Sequence, residues 1–125
     1  MSNTKNSGFV YLLCDIGKDN TFKIGVTRGS IENRIKRLQT GNSSEIFIVS
    51  YQECEHPFFV EKWMHRKYVG KKVMNEWFEM NVGDISHFKE DCLKYDELYK
   101  LSHRSREEIN DECEVIDCRD ATTNS

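Results

Sequence analysis

The chain has 125 residues, 38% of them hydrophobic, and 18 Lys and Arg against 21 Asp and Glu give a net charge of −3. That length fits one domain with a modest core, and apolar runs broken by charges within a few residues exclude an ordinary membrane span. Five cysteines, Cys14, Cys54, Cys92, Cys113 and Cys118, are odd in number and form no tight ligand pair, which argues against a secreted disulfide framework and a zinc ribbon.

Residues 1–7 carry no apolar signal region and are expected to be flexible, with the protein soluble and intracellular, in cytoplasm or nucleus. Phe9-Val10-Tyr11-Leu12 and Phe22-Lys23-Ile24-Gly25-Val26-Thr27 read as strands, and the Asp15–Asn20 stretch between them carries the Gly, Asp and Asn of a hairpin connection. Tyr11 and Lys23 stand out among apolar neighbours. Gly25, which weakens a strand interior, points to close approach of a ligand or of another part of the chain. Ser30 can cap a helix with Ile31, Ile35 and Leu38 on one side, Arg34 and Arg37 among its polar positions, and Gly41 as its stop.

Glu45–Cys54 predicts a third strand, apolar enough to be central and expected to pair with the hairpin. His56-Pro57 opens a second helix, with Phe58, Phe59, Trp63, Met64 and Tyr68 expected as its buried contacts and with Glu61 and His65, four apart, on one face. Gly70-Lys71-Lys72 reads as a basic loop before a last strand at Trp77–Met80, and Asp84 as the cap of a third helix carrying Ile85, Phe88, Cys92, Tyr95 and Tyr99. The expected fold is α+β: a small, mostly antiparallel sheet of three to four strands flanked by helices, spanning 8–101. Residues 102–125 are highly charged and acidic overall, and are expected to hold little fixed structure.

Over residues 8–90, Val10-Tyr11-Leu12, Lys23-Ile24-Gly25, Arg34, Glu61 and the Asn75-Glu76-Trp77-Phe78 segment together resemble the GIY-YIG nuclease family, in particular its compact, single-domain, phage or viral type. The resemblance implies a metal-dependent endonuclease acting on DNA, with RNA not excluded, no membrane partner, and one Mg²⁺ (or Mn²⁺) ion. It assigns catalytic roles to Tyr11, Lys23, Arg34 and Glu61, with Glu61 the metal ligand, and secondary roles to Gly25, Arg37, His65 and Asn75. Many members have a second tyrosine where this chain has Lys23, and a histidine or tyrosine where it has Leu38, so one possible proton carrier is missing.

The chemistry is coherent with those assignments. Glu61 is a hard oxygen donor suited to an ion that keeps most of its waters. Arg34 offers a permanently charged, bidentate group to a phosphate, and Tyr11, placed across the hairpin from the Lys23 ammonium, could serve as general base or proton relay. Singly, each residue is ordinary: a strand tyrosine packs, and helix Arg and Glu are solvated. Net charge does not oppose the reading, since residues 1–82 carry 12 Lys and Arg against 9 acids and residues 83–125 carry 6 against 12; phosphate contacts come from local patches. The alternative is a catalytically weak or inactive nucleic-acid-binding module of the same fold.

Overall fold

The computed structural model describes residues 7–112. In chain order the elements are β1 (Gly8–Asp15), β2 (Thr21–Thr27), α1 (Ile31–Thr40), β3 (Ile46–Cys54), α2 (Pro57–Lys67), a 3₁₀ turn (Val69–Lys71), β4 (Lys72–Met74), β5 (Trp77–Glu79), α3 (Val82–Ser86) and α4 (Phe88–Glu112). The strands form one antiparallel sheet in the order β3-β1-β2-β5-β4. The α+β class holds, with five strands rather than three or four: Lys72–Met74, expected as part of a basic loop, pairs with β5.

β1 is buried on both faces, so its alternation divides two cores. Val10 and Leu12 join Ile24 and Phe78 against Val60 and Met64 of α2 and Phe88 and Cys92 of α4. Tyr11 and Leu13 face the other way, with Ile46, under Ile35 and Leu38 of α1. Each fully buried large apolar side chain of the first cluster contributes about 1.5–3 kcal/mol of transfer free energy.

Several local expectations are corrected. β3 is an edge strand, not a central one, and its Phe47 and Tyr51 are 45% and 46% exposed. Phe58 is 48% exposed, because the buried stripe of α2 runs through Pro57, Val60 and Met64. Gly41 does end α1 as expected, with a φ of −96° that lies outside the left-handed region. Asn81, not Asp84, is the N-cap of α3: its side chain accepts from the Asp84 N–H while the Asp84 carboxylate accepts from the Asn81 N–H. The expected single third helix is split at His87. Finally, the α4 backbone continues past Leu101 to Glu112, where little fixed structure was expected; the remainder of the expected tail, and residues 1–6 of the expected flexible N-terminus, lie outside the described residues.

Two buried carboxylates lock the connections. Asp15, at the end of β1, accepts from the Gly17 N–H (2.7 Å), Asn42 Nδ2 (2.8 Å), Ser44 Oγ (2.8 Å) and Lys18 Nζ (3.0 Å), tying the hairpin turn to the α1–β3 loop. Asp96 of α4 accepts from the Glu55 and His56 N–H groups, both at 2.9 Å. It thereby anchors the backbone just before α2, where the His56 side chain makes no cap bond. No described helix is long and apolar enough to cross a membrane.

Candidate active site

Ser30 starts α1 by accepting from the Asn33 N–H at 3.1 Å. The stripe through Ile31, Ile35 and Leu38 then docks on the sheet, and Arg34, one turn from both Ile31 and Leu38, is carried over β1. Its Nε donates to the Tyr11 hydroxyl at 3.1 Å. Tyr11 is fully buried, and the residue opposite it on β2 is Gly25. A Cβ at Gly25 would stand 2.4 Å from the Tyr11 Cζ and Oη, so the glycine is what allows the phenol ring to lie across β2. The close approach expected at Gly25 is therefore that of a side chain of this protein.

Register corrects the expected Tyr11–Lys23 pairing. Lys23 is opposite Leu13, two residues further along β1 than Tyr11, and its ammonium binds Glu76 Oε1 at 2.8 Å. The cation that reaches the Tyr11 hydroxyl is Arg34. The resemblance assigns no role to Glu76, and a polar pair before a strand commonly just ends a loop. Only the pairing of Lys23 with Trp77 brings it beside the ammonium, and Asn75, at φ 50°, makes the turn that delivers it.

The pairing of β5 with β2 ends at Lys23. One residue on, the Ile24 carbonyl takes a hydrogen bond of 2.9 Å from His65 Nε2 on α2, so that nitrogen carries a proton. His65 Nε2 is also 3.6 Å from Glu61 Oε2. Glu61 is thus held where the sheet edge opens. Burial raises its carboxyl above the ordinary range; His65 opposes that, the Glu76 carboxylate adds to it, and Lys23 and Arg34 again oppose it. The Arg34 guanidinium is raised, mainly by its bond to Tyr11 and further by the fields of Glu76 and Glu61. Tyr11, Lys23, Arg34 and Glu61, from β1, β2, α1 and α2, are linked by these bonds and fields into one site.

Arg37, one turn beyond Arg34, is exposed and lines a separate groove with Lys23 and Trp77. Leu38 packs under α1. Among the described residues no three His, Cys, Asp or Glu side chains gather into a cage for a metal. A metal held here would have Glu61 as its protein donor, with water completing the shell, an arrangement that Mg²⁺ tolerates and structural zinc does not. The donor chemistry fits: Glu61 and Glu76 repel each other, and a divalent cation would offset that repulsion.

No curated relative and no solved structure matches the chain. The model of one family, the T5orf172 domain, matches residues 8–93, from the first residue of β1 into α4, and takes in every residue of the site. The chain therefore belongs to the T5orf172 domain family, a phage-associated domain related to nuclease folds.

Proposed function

We propose that the protein is a metal-dependent endonuclease of the GIY-YIG kind that hydrolyses phosphodiester bonds in DNA. The observation that carries this reading is the Tyr11–Arg34 hydrogen bond together with a partly buried carboxylate, Glu61, that lies within the fields of His65, Glu76, Lys23 and Arg34.

Arg34 has five N–H donors, and the bond to Tyr11 uses only Nε. The two terminal amino groups remain to bind non-bridging phosphate oxygens, where charge accumulates in the transition state. The Tyr11 hydroxyl accepts from Arg34, so its own proton is free to be donated and its oxygen is held by a permanent cation when that proton leaves. As phenolate it would take the proton of the attacking water and hold it as a neutral hydroxyl. Lys23 adds positive charge at a fixed point, because Glu76 orients its ammonium. His65 ties the Glu61 turn of α2 to the β2 backbone, which keeps the carboxylate at the open edge. Glu61 would hold one Mg²⁺ or Mn²⁺ ion, which when bound polarises the phosphate and stabilises the leaving oxygen.

Relaxation of supercoiled plasmid by the wild-type chain, with Mg²⁺ and with EDTA, tests the reading against Glu61→Gln as control. Mg²⁺-dependent nicking that the variant lacks is expected. Binding of DNA by wild type with no nicking at any Mg²⁺ or Mn²⁺ concentration would leave the non-catalytic binding module as the function.

A further inference from the structure

Adjoining the site is a groove of about 240 Å³ with an apolar floor of Leu13, Leu38 and Ile46 and a rim that includes Lys23, Arg37 and Trp77. None of its lining residues is acidic. Side chains alternate along β5: Phe78 is 1% exposed in the core under α2 and α4, so Trp77 is displayed on the opposite face, beside Lys23. Two ammonium groups lie over its indole, Lys18 Nζ at 4.8 Å and Lys23 Nζ at 5.8 Å from the ring centroid. Each is also bound by a carboxylate, Asp15 for Lys18 and Glu76 for Lys23. An aromatic plate, an apolar floor and a cationic rim thus meet in a groove that shares Lys23 with the candidate site.

This combination selects for a ligand with a flat π-face and negative charge on both flanks. An acidic peptide would satisfy the cations and leave the ring and the floor without a partner; a bare phosphate would leave the same surfaces wet. Resting on the reading of Arg34 and Tyr11 as the phosphate site, we propose that this groove is a base subsite. In it an unpaired base of the strand being cut stacks on Trp77, while Lys18, Lys23 and Arg37 take the phosphates around it. Stacking of a base on an indole outweighs a half-exposed ammonium–ring contact, so the two lysines exchange the ring for phosphate oxygens when the strand enters. A fully paired duplex has no free base to place there and must first unstack one. The preferred substrate is therefore single-stranded, frayed or branched at the cleavage point.

The test uses the full chain in EDTA, where binding is read without cutting. Trp63→Phe removes the other indole, so that fluorescence reports Trp77. Two probes are titrated: a short single-stranded oligodeoxynucleotide, and an abasic strand of the same length and charge. The expected result is quenching of Trp77 by the base-bearing strand and roughly tenfold tighter binding of it than of the abasic strand. Trp77→Ala should abolish that preference, whereas Trp77→Phe should retain most of it. Equal affinity of the wild type for the two strands overturns the subsite, as does a base preference that survives in Trp77→Ala. Should Trp77→Ala not fold, the wild-type comparison and the quench decide the matter. Base preference without Mg²⁺-dependent cleavage would overturn the nuclease reading and leave the subsite standing; cleavage without base preference would do the reverse, and failure to bind either strand would overturn both.

Discussion

The two faces of the sheet are built to different rules. Under α2 and α4 the face is dry, with Val10, Leu12, Ile24, Val60, Met64, Phe88 and Cys92 all fully buried or nearly so, and among the described residues the buried side-chain oxygen without a hydrogen-bond partner is the Tyr68 hydroxyl. Under α1 the cover is a single ten-residue helix, and the buried tyrosine there spends its hydroxyl on an arginine. The first face supplies stability. The second gives up apolar closure to hold charged groups in place, a trade expected of a site that must admit a charged substrate. Glu61 connects the two, since it rides on a helix of the dry face and reaches the open edge where β5 stops pairing with β2.

The sharpest way to break this comparison is through activity. Glu61→Gln should lower Mg²⁺-dependent cleavage by about 10³-fold or more while the thermal transition stays put, because the side chain is nearly isosteric. Arg34→Lys should also fail, since an ammonium can neither fork onto a phosphate nor hold the tyrosine hydroxyl in the same geometry. Retention of more than a third of wild-type kcat by either variant at equal folded fraction would return these residues to the solvated surface.

Next in size are the packing contrasts. Phe88→Ala on the dry face should cost about 3–5 kcal/mol in urea unfolding, and Leu38→Ala under α1 about 1–2 kcal/mol, because the latter site is already half open and can relax. Equal losses would show that the two faces are energetically alike. Gly25→Ala tests the seam between them: the added methyl must displace the Tyr11 ring, so stability should fall by about 1–3 kcal/mol and activity should be lost together with it. Tyr11→Phe should abolish cleavage and leave stability within about 1 kcal/mol. If Gly25→Ala remains active, the ring position is not what the site requires.

A further contrast is a pH dependence. The Asn42 amide first, with the Gly17 N–H, the Ser44 hydroxyl and the Lys18 ammonium, holds the Asp15 carboxyl well below the ordinary carboxylate range, although burial opposes them. Because the folded pKa is depressed, the stabilisation is present in full above the ordinary carboxylate pKa of about 4 and is lost as pH falls below it. Asp15→Asn should therefore lower stability at pH 7 and flatten the fall in stability on acidification. An acid unfolding curve identical in shape for wild type and variant would assign that fall to other carboxylates.

Much of the local structure was legible because its causes are local. The hairpin, α1 with its Ser30 cap, the start of α2 at Pro57 and the α+β class follow from turn residues, capping chemistry and periodicity over a few positions. β4 was missed since three residues in a basic stretch carry no periodic signal. β3 was misplaced because an apolar run looks alike at the centre of a sheet and at its edge, and only pairing partners distinguish the two. The continuation of α4 past Leu101 was missed because its charged composition reads as solvated chain.

The site divides along the same line. The resemblance carried by the motifs grouped Tyr11, Lys23, Arg34 and Glu61, and the residue type alone marked Gly25 as a point of close approach. The sequence could not say that Tyr11 meets Arg34 rather than Lys23, that Glu76 holds Lys23, or that His65 closes the β2 edge beneath Glu61. Those outcomes depend on strand register and on how two helices dock on opposite faces of the sheet. A shift of one pair along the hairpin moves every side chain to a new neighbour without changing any local preference, so only the tertiary structure could decide them.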